Sequence, residues 1–112
     1  MVSVDHAAPD VPVRVTTRST DGTEIASWRS GTGRAVVLVH GSTADHTAWD
    51  AVRAELEPVC TVYAMDRRGR GGSGDAPSYA AEREFEDVAA VVDQLGGAVP
   101  VIGHSWGCRV CP

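Results

Sequence analysis

Val99-Pro100-Val101-Ile102-Gly103-His104-Ser105-Trp106-Gly107 is the stretch that decides the reading of this chain. A short apolar run leads straight into G-x-S-x-G, the sequence form of a serine held on a sharp turn from strand to helix. Such a turn strains the serine backbone, and side chains at Gly103 and Gly107 would collide with the neighbouring strand and helix. It leaves the hydroxyl exposed at a helix N-terminus, where the backbone N–H of Trp106 can point at a developing oxyanion. Ser105 is the candidate nucleophile. A plain Gly-Ser turn would account for the pentapeptide alone; the buried strand before it, in an alternating chain, is the context that raises it. A serine nucleophile also needs a base and a group that orients the base. The tail Cys108-Arg109-Val110-Cys111-Pro112 contains no His, Asp or Glu.

Working back from the motif, two more unbroken apolar runs appear. Arg34–His40 holds Val36-Val37-Leu38-Val39 without alternation, as expected of a strand covered on both faces. Val59–Met65 reads the same way. Ala80–Leu95 is the clearest helix, with Phe85, Val88, Ala89, Val92 and Leu95 on one stripe and Glu82, Glu84, Glu86 and Asp93 elsewhere; Gly96-Gly97 ends it. A shorter helix follows Thr47, which with Asp50 fits a capping box. It places Trp49, Val52 and Leu56 on one face. Ahead of all this, Val11–Thr17 and Thr23–Trp28 flank Asp21-Gly22, a hairpin signal. Gly31-Thr32-Gly33 makes a second turn, and residues 1–10 form a loose lead-in. The order is a β-hairpin followed by β-α-β-α-β. That order predicts an α/β fold with a mostly parallel sheet and helices on both faces.

Bulk properties narrow the function. At 112 residues the chain is a single domain at most. A net charge of −5 argues against partners among nucleic acids and anionic membranes. Cys60, Cys108 and Cys111 make an odd count without a secretory signal, which points to a reducing compartment and a cytoplasmic address. No apolar run reaches the length needed to cross a bilayer.

Two further segments stand at the carboxyl ends of buried strands, where open parallel sheets gather their ligand loops. They are His40-Gly41-Ser42 and Asp66-Arg67-Arg68-Gly69-Arg70-Gly71-Gly72-Ser73. With the Gly103–Gly107 turn, in this order and at these separations, the chain from about residue 11 to 107 resembles the α/β-hydrolase family, serine-nucleophile branch. The resemblance implies that Ser105 is the nucleophile and that the N–H groups of Ser42 and Trp106 form the oxyanion hole. It implies supporting roles for Gly103, His104, Gly107, His40, Gly41 and the Asp66–Ser73 loop, with His104 buried beside the turn. The substrate would be a small acyl compound such as an ester, lactone or thioester, handled without cofactor or metal. Serine at the elbow argues against the branches that use aspartate there, such as haloalkane dehalogenases and epoxide hydrolases.

The family's acid and catalytic histidine follow the nucleophile in the chain, and its members are more than twice this length. From Cys108 on, the chain departs from the family's pattern. The expectation is therefore an incomplete domain over 1–112 with an atypical tail at 108–112, catalytically inactive as it stands. The alternative reading is a remnant co-opted for binding or dimerisation. An unpaired apolar sheet edge at Val99–Ile102 would invite self-association. The abrupt change suggests a shifted reading frame.

Other motifs carry less. Gly69-Arg70-Gly71-Gly72-Ser73-Gly74 matches the dinucleotide fingerprint but opens no helix, so a loop needing flexibility explains it better. Cys108-x-x-Cys111 lacks the following helix of a redox pair and, even with His104, is one ligand short of a zinc site. His46 could be imagined as a substitute base, though a satisfied or exposed loop histidine is the usual outcome. Trp28, Trp49 and Cys60 read as core packing. Arg67, Arg68 and Arg70 read as a solvated, salt-bridged run.

Overall fold

Three parallel strands form the heart of the molecule, and two antiparallel ones extend it on one side. The computed structural model describes residues 11–41, 44–74 and 81–104. Strands β1 (Val13–Arg18), β2 (Glu24–Gly31), β3 (Arg34–Val39), β4 (Cys60–Met65) and β5 (Val101–Gly103) make one sheet in the order β1-β2-β4-β3-β5. β2 is antiparallel to β1 and β4, while β3 runs parallel to both β4 and β5. The expected hairpin and parallel β-α-β-α-β run are both present. Helix α1 (Asp50–Leu56) joins β3 to β4, and α2 (Ala81–Gln94) lies between β4 and β5.

The unbroken apolar run of β3 has the expected physical cause. Alternate residues face opposite sides of a sheet, and both sides are covered. Val37 and Val39 pack with Ile25, Met65, Val88 and Val91 beneath α2. Val36 and Leu38 pack with Val62 and Trp49 on the α1 side. Val37, Leu38 and Val39 are each fully buried, and burying each side chain contributes about 1.5–3 kcal/mol. Gly31 closes the turn into β3 at φ 83°, and a Cβ there would strike the Cys60 carbonyl.

Several local expectations are corrected. On α2 the inward face is Glu84, Asp87, Val88 and Val91, whereas Phe85 is 43% exposed. The apolar stripe is rotated because two of the inward positions hold acids that meet buried arginines. The first turn after β3 is a 3-10 helix, His46–Trp49, capped by Asp45, whose side chain accepts the Thr47 N–H at 2.9 Å. No side chain caps α1 itself, so the Thr47–Asp50 box is not formed. Val52 and Val59 are exposed, the latter because β4 begins one residue later.

Among the described residues β5 pairs on one side only, with β3. Ile102, paired with Leu38 and so on the α1 side of the sheet, is 45% exposed. The lead-in 1–10 and the tail 108–112 lie outside the described residues, as do the cysteines of the tail.

Candidate active site

Parallel pairing brings the carboxyl ends of β4, β3 and β5 side by side, each about 4.8 Å from the next. Three polar residues follow directly: Asp66 after β4, His40 after β3 and His104 after β5. Ser42, Ser105, Trp106 and Gly107 lie outside the described residues. The strands that lead to them are described, and Gly103 closes β5 opposite Val39.

His40 is fully buried and both its ring nitrogens are used. Nδ1 lies 2.6 Å from the Gly41 carbonyl, which can only accept, so Nδ1 carries the proton. Nε2 accepts the Arg67 N–H at 3.0 Å. Burial holds its pKa below the ordinary 6.5, partly offset by the Gly41 carbonyl. A neutral imidazole with both nitrogens engaged joins the ends of β3 and β4. Gly41 is buried beside it.

Asp66 is the hub of this end of the sheet. Its carboxylate is fully buried and accepts the Trp28 Nε1–H at 2.8 Å, the Gly72 N–H at 2.9 Å and the His46 N–H at 2.7 Å. The His46 ring adds Nδ1–H at 2.9 and 3.0 Å to the two oxygens. The imidazole stacks on Trp28 with centroids 4.7 Å apart and planes 24° apart. Asp45, His46 and Asp66 bring possible ligand atoms within 4.8 Å of one another, but the Asp66 lone pairs are spent on N–H donors and a cation would have to displace them. His46 is thus anchored to Asp66 through Nδ1. Trp28, expected as core packing, instead roofs this junction, half-buried.

Sequence reasoning missed the Trp28–His46–Asp66 assembly. Its members are 20 and 38 residues apart, and no spacing pattern marks them.

The arginine run is also corrected. Arg67 and Arg68 are buried, not solvated. Arg67 meets Glu84 through Nε–Oε1 at 2.6 Å and Nη2–Oε2 at 3.0 Å. Arg68 grips Asp87 with two bonds of 2.7 Å and reaches Asp21 at 2.9 Å. The Asp87 carboxylate holds the Arg68 guanidinium well above its ordinary pKa, and Arg68 in turn holds Asp21 well below its own. Only Arg70 of the three is exposed.

These pairs fasten the 66–74 loop to α2, and the loop is laced rather than flexible. Gly69 N–H goes to Gly74 O, Arg70 N–H to Arg67 O, Ser73 N–H to Arg70 O and Gly74 N–H to Glu24 O. Ser73 Oγ donates to Asp66 O at 2.6 Å and accepts the Ala26 N–H at 2.9 Å. A phosphate would need those amides, and five of the six from residues 69–74 are already engaged, which disfavours the dinucleotide reading. Gly71, at φ 49°, sits where a Cβ would run into the Asp66 carboxylate.

His104 continues the ladder, donating its N–H to Val39 O at 3.1 Å. Its side chain is exposed, not buried as expected. The ring contact described for it is with Trp49, edge-on at 6.4 Å. A polar recess of about 460 Å³ opens between the 44–48 segment and Gly69-Arg70-Gly71, within the size range of small-molecule sites.

Comparison with known proteins agrees with this geometry. The model of the alpha/beta hydrolase family matches residues 36–112. A solved alpha/beta hydrolase from Sphaerobacter thermophilus is 49% identical with a TM-score of 0.80, covering 86% of this chain and 37% of that one. N-formylmaleamate deformylase from Pseudomonas putida is 34% identical over 82 residues, 70% of this chain and 31% of its own length. The mycobacterial protein described as probable oxidoreductase EphD (Mycobacterium bovis) is 35% identical over 96 residues, 80% of this chain. The chain spans only 16% of that relative's length. Among the described residues no helix is long and apolar enough to cross a membrane.

Proposed function

Given that the chain belongs to the alpha/beta hydrolase family, we propose that it carries the nucleophile half of a serine acyl hydrolase. The observation behind this reading is that Ser105 follows β5 by two residues, and β5 is paired in parallel with the strand that ends in His40-Gly41. In the proposed reaction Ser105 Oγ attacks the carbonyl carbon of a small ester, lactone or thioester. The oxyanion rests on the N–H groups of residues 42 and 106. The leaving group departs with the serine proton. Water then attacks the acyl-enzyme and releases the acid, with no cofactor. Epoxide hydrolases share the fold, as in the Vigna radiata enzyme at 26% identity and TM-score 0.81. Serine at position 105 is what favours acyl transfer over that chemistry.

A second reading is that this chain alone does not turn over and acts as a binding or dimerising piece. Two of the described histidines are already committed through ring nitrogens. His40 has no nitrogen to spare. His46 is bound to Asp66 at the end of β4, two strand spacings (about 10 Å) from the end of β5. Loss of a triad member typically leaves on the order of 10³–10⁴ over water.

A fluorophosphonate probe and a short activated ester, run beside Ser105→Ala, separate the two. Labelling and turnover that vanish in the variant support the hydrolase. Labelling no greater than in Ser105→Ala leaves the second reading.

A further inference from the structure

We propose that the polar recess between the 44–48 segment and Gly69-Arg70-Gly71 binds a small zwitterion, an amino acid or short peptide with both ends free, whose carboxylate goes to Arg70 and whose ammonium goes to Asp45. This goes beyond the hydrolase reading and does not depend on it. Asp45 and Arg70 are the only charged residues among those described around the recess. The others, Ala44, Thr47, Ala48, Gly69 and Gly71, are small and uncharged, so the two charges set its preference. A ligand of one sign is attracted by one of them and repelled by the other. A ligand that carries both signs is attracted twice.

Both charges are available to a ligand. The Arg70 side chain is exposed and has no acceptor among the described residues, unlike its neighbours Arg67 and Arg68. Gly71, in the same wall, keeps the one backbone N–H of residues 69–74 that no acceptor takes, a second donor for a carboxylate. In the other wall, Thr47 gives its backbone N–H and its hydroxyl to Asp45 Oδ1, and Oδ2 is left without a donor. Those bonds hold the Asp45 pKa below its ordinary 3.8, so the group is an anion at neutral pH. Arg70 and Asp45 do not pair with each other, so a ligand has no internal bridge to break.

The walls are set before any ligand arrives, and one buried carboxylate pins both. Asp66 accepts the His46 N–H from the first wall at 2.7 Å and the Gly72 N–H from the end of the second at 2.9 Å. A Cβ at Gly71 would run into that same carboxylate, so the glycine wall lies directly against it. Arg70 N–H to Arg67 O, and Ser73 N–H to Arg70 O, fix the backbone that carries the guanidinium. Binding therefore has little more than the Arg70 side chain to order, which keeps its entropic cost low.

Titrating glycylglycine into the ¹⁵N-labelled 112-residue chain tests this by amide chemical shifts. The amides of residues 45–48 and 69–71 should shift saturably, with a Kd on the order of 1 mM, as two charge-assisted contacts to a small ligand allow. Residues 36–39 and 62–65 should stay where they are. N-acetylglycine, which lacks the ammonium, and glycinamide, which lacks the carboxylate, should each bind about tenfold more weakly. Arg70→Gln and Asp45→Asn should each weaken glycylglycine by a similar factor. Asp45→Asn keeps an oxygen for the Thr47 N–H, so the helix cap survives, and in that variant N-acetylglycine should bind no worse than in wild type. No saturable shift by about ten times the expected Kd would overturn the proposal. So would N-acetylglycine or glycinamide binding as tightly as the dipeptide, or either variant binding the dipeptide as wild type does. The titration requires no turnover, so it decides the recess whether or not the fluorophosphonate test upholds the hydrolase reading.

Discussion

Asp87→Ala tests what docks α2 and the 66–74 loop to the sheet. Both partners of the Arg68–Asp87 pair have fully buried side chains, and the pair is bidentate at 2.7 Å per bond. Removing one partner of a buried ion pair costs about 3–5 kcal/mol, because the other is left charged in a poor solvent. Arg68 would keep its bonds to Asp21 at 2.9 and 3.3 Å, so the loss belongs at the lower end, about 3 kcal/mol. Small domains are stable by about 5–15 kcal/mol, so this is a large share. With a urea slope of about 1–3 kcal/mol/M, the unfolding midpoint should fall by about 1–3 M. Asp21→Ala, at the exposed end of the network, should do much less. Replacing both buried charges together, as Arg68→Met with Asp87→Leu, should recover most of the loss, since apolar residues of similar volume can substitute for a buried pair. A wild-type midpoint in Asp87→Ala, or a double variant no better than the single one, would refute the reasoning.

Acid should weaken the fold in two stages. His40 is held below its ordinary 6.5 chiefly by burial, so below that pH the unfolded chain takes up a proton that the folded one refuses, and stability falls. Asp21, held down by Arg68, Asp45, held down by Thr47, and Glu86, held down by Thr20 and Arg83, contribute stability above their ordinary values. That contribution is lost as pH falls through their lowered ones. Urea midpoints that stay level from pH 8 to 5 and then fall would remove His40 from the account. At the β5 edge, the isolated chain is expected to run as an oligomer on a sizing column. Ile102→Lys should shift it toward monomer by placing a charge on the open edge; an unchanged elution volume would exclude that edge as the contact.

What was legible in the sequence is what local chemistry controls. Unbroken apolar runs at 36–39 and 62–65 announced strands covered on both faces, and the element order announced a parallel sheet. His40-Gly41 and the Asp66–Ser73 loop were recognisable because ligand loops gather at the carboxyl ends of such strands. The sense of α2 was legible but its rotation was not. Periodicity assigns acids to solvent, and it cannot see Arg67 and Arg68 waiting 17 and 19 residues earlier to neutralise Glu84 and Asp87.

The chain's own order of residues determined its strands and helices, its family and the serine at the end of β5. Tertiary structure alone decided that Asp66 gathers Trp28, His46 and Gly72, that His40 is a neutral brace, and that most amides of the glycine loop are already engaged. Periodicity records whether a side chain prefers water. Whether a buried polar atom finds its partner depends on atoms brought within about 3 Å by the whole sheet, and one dimension does not contain that distance.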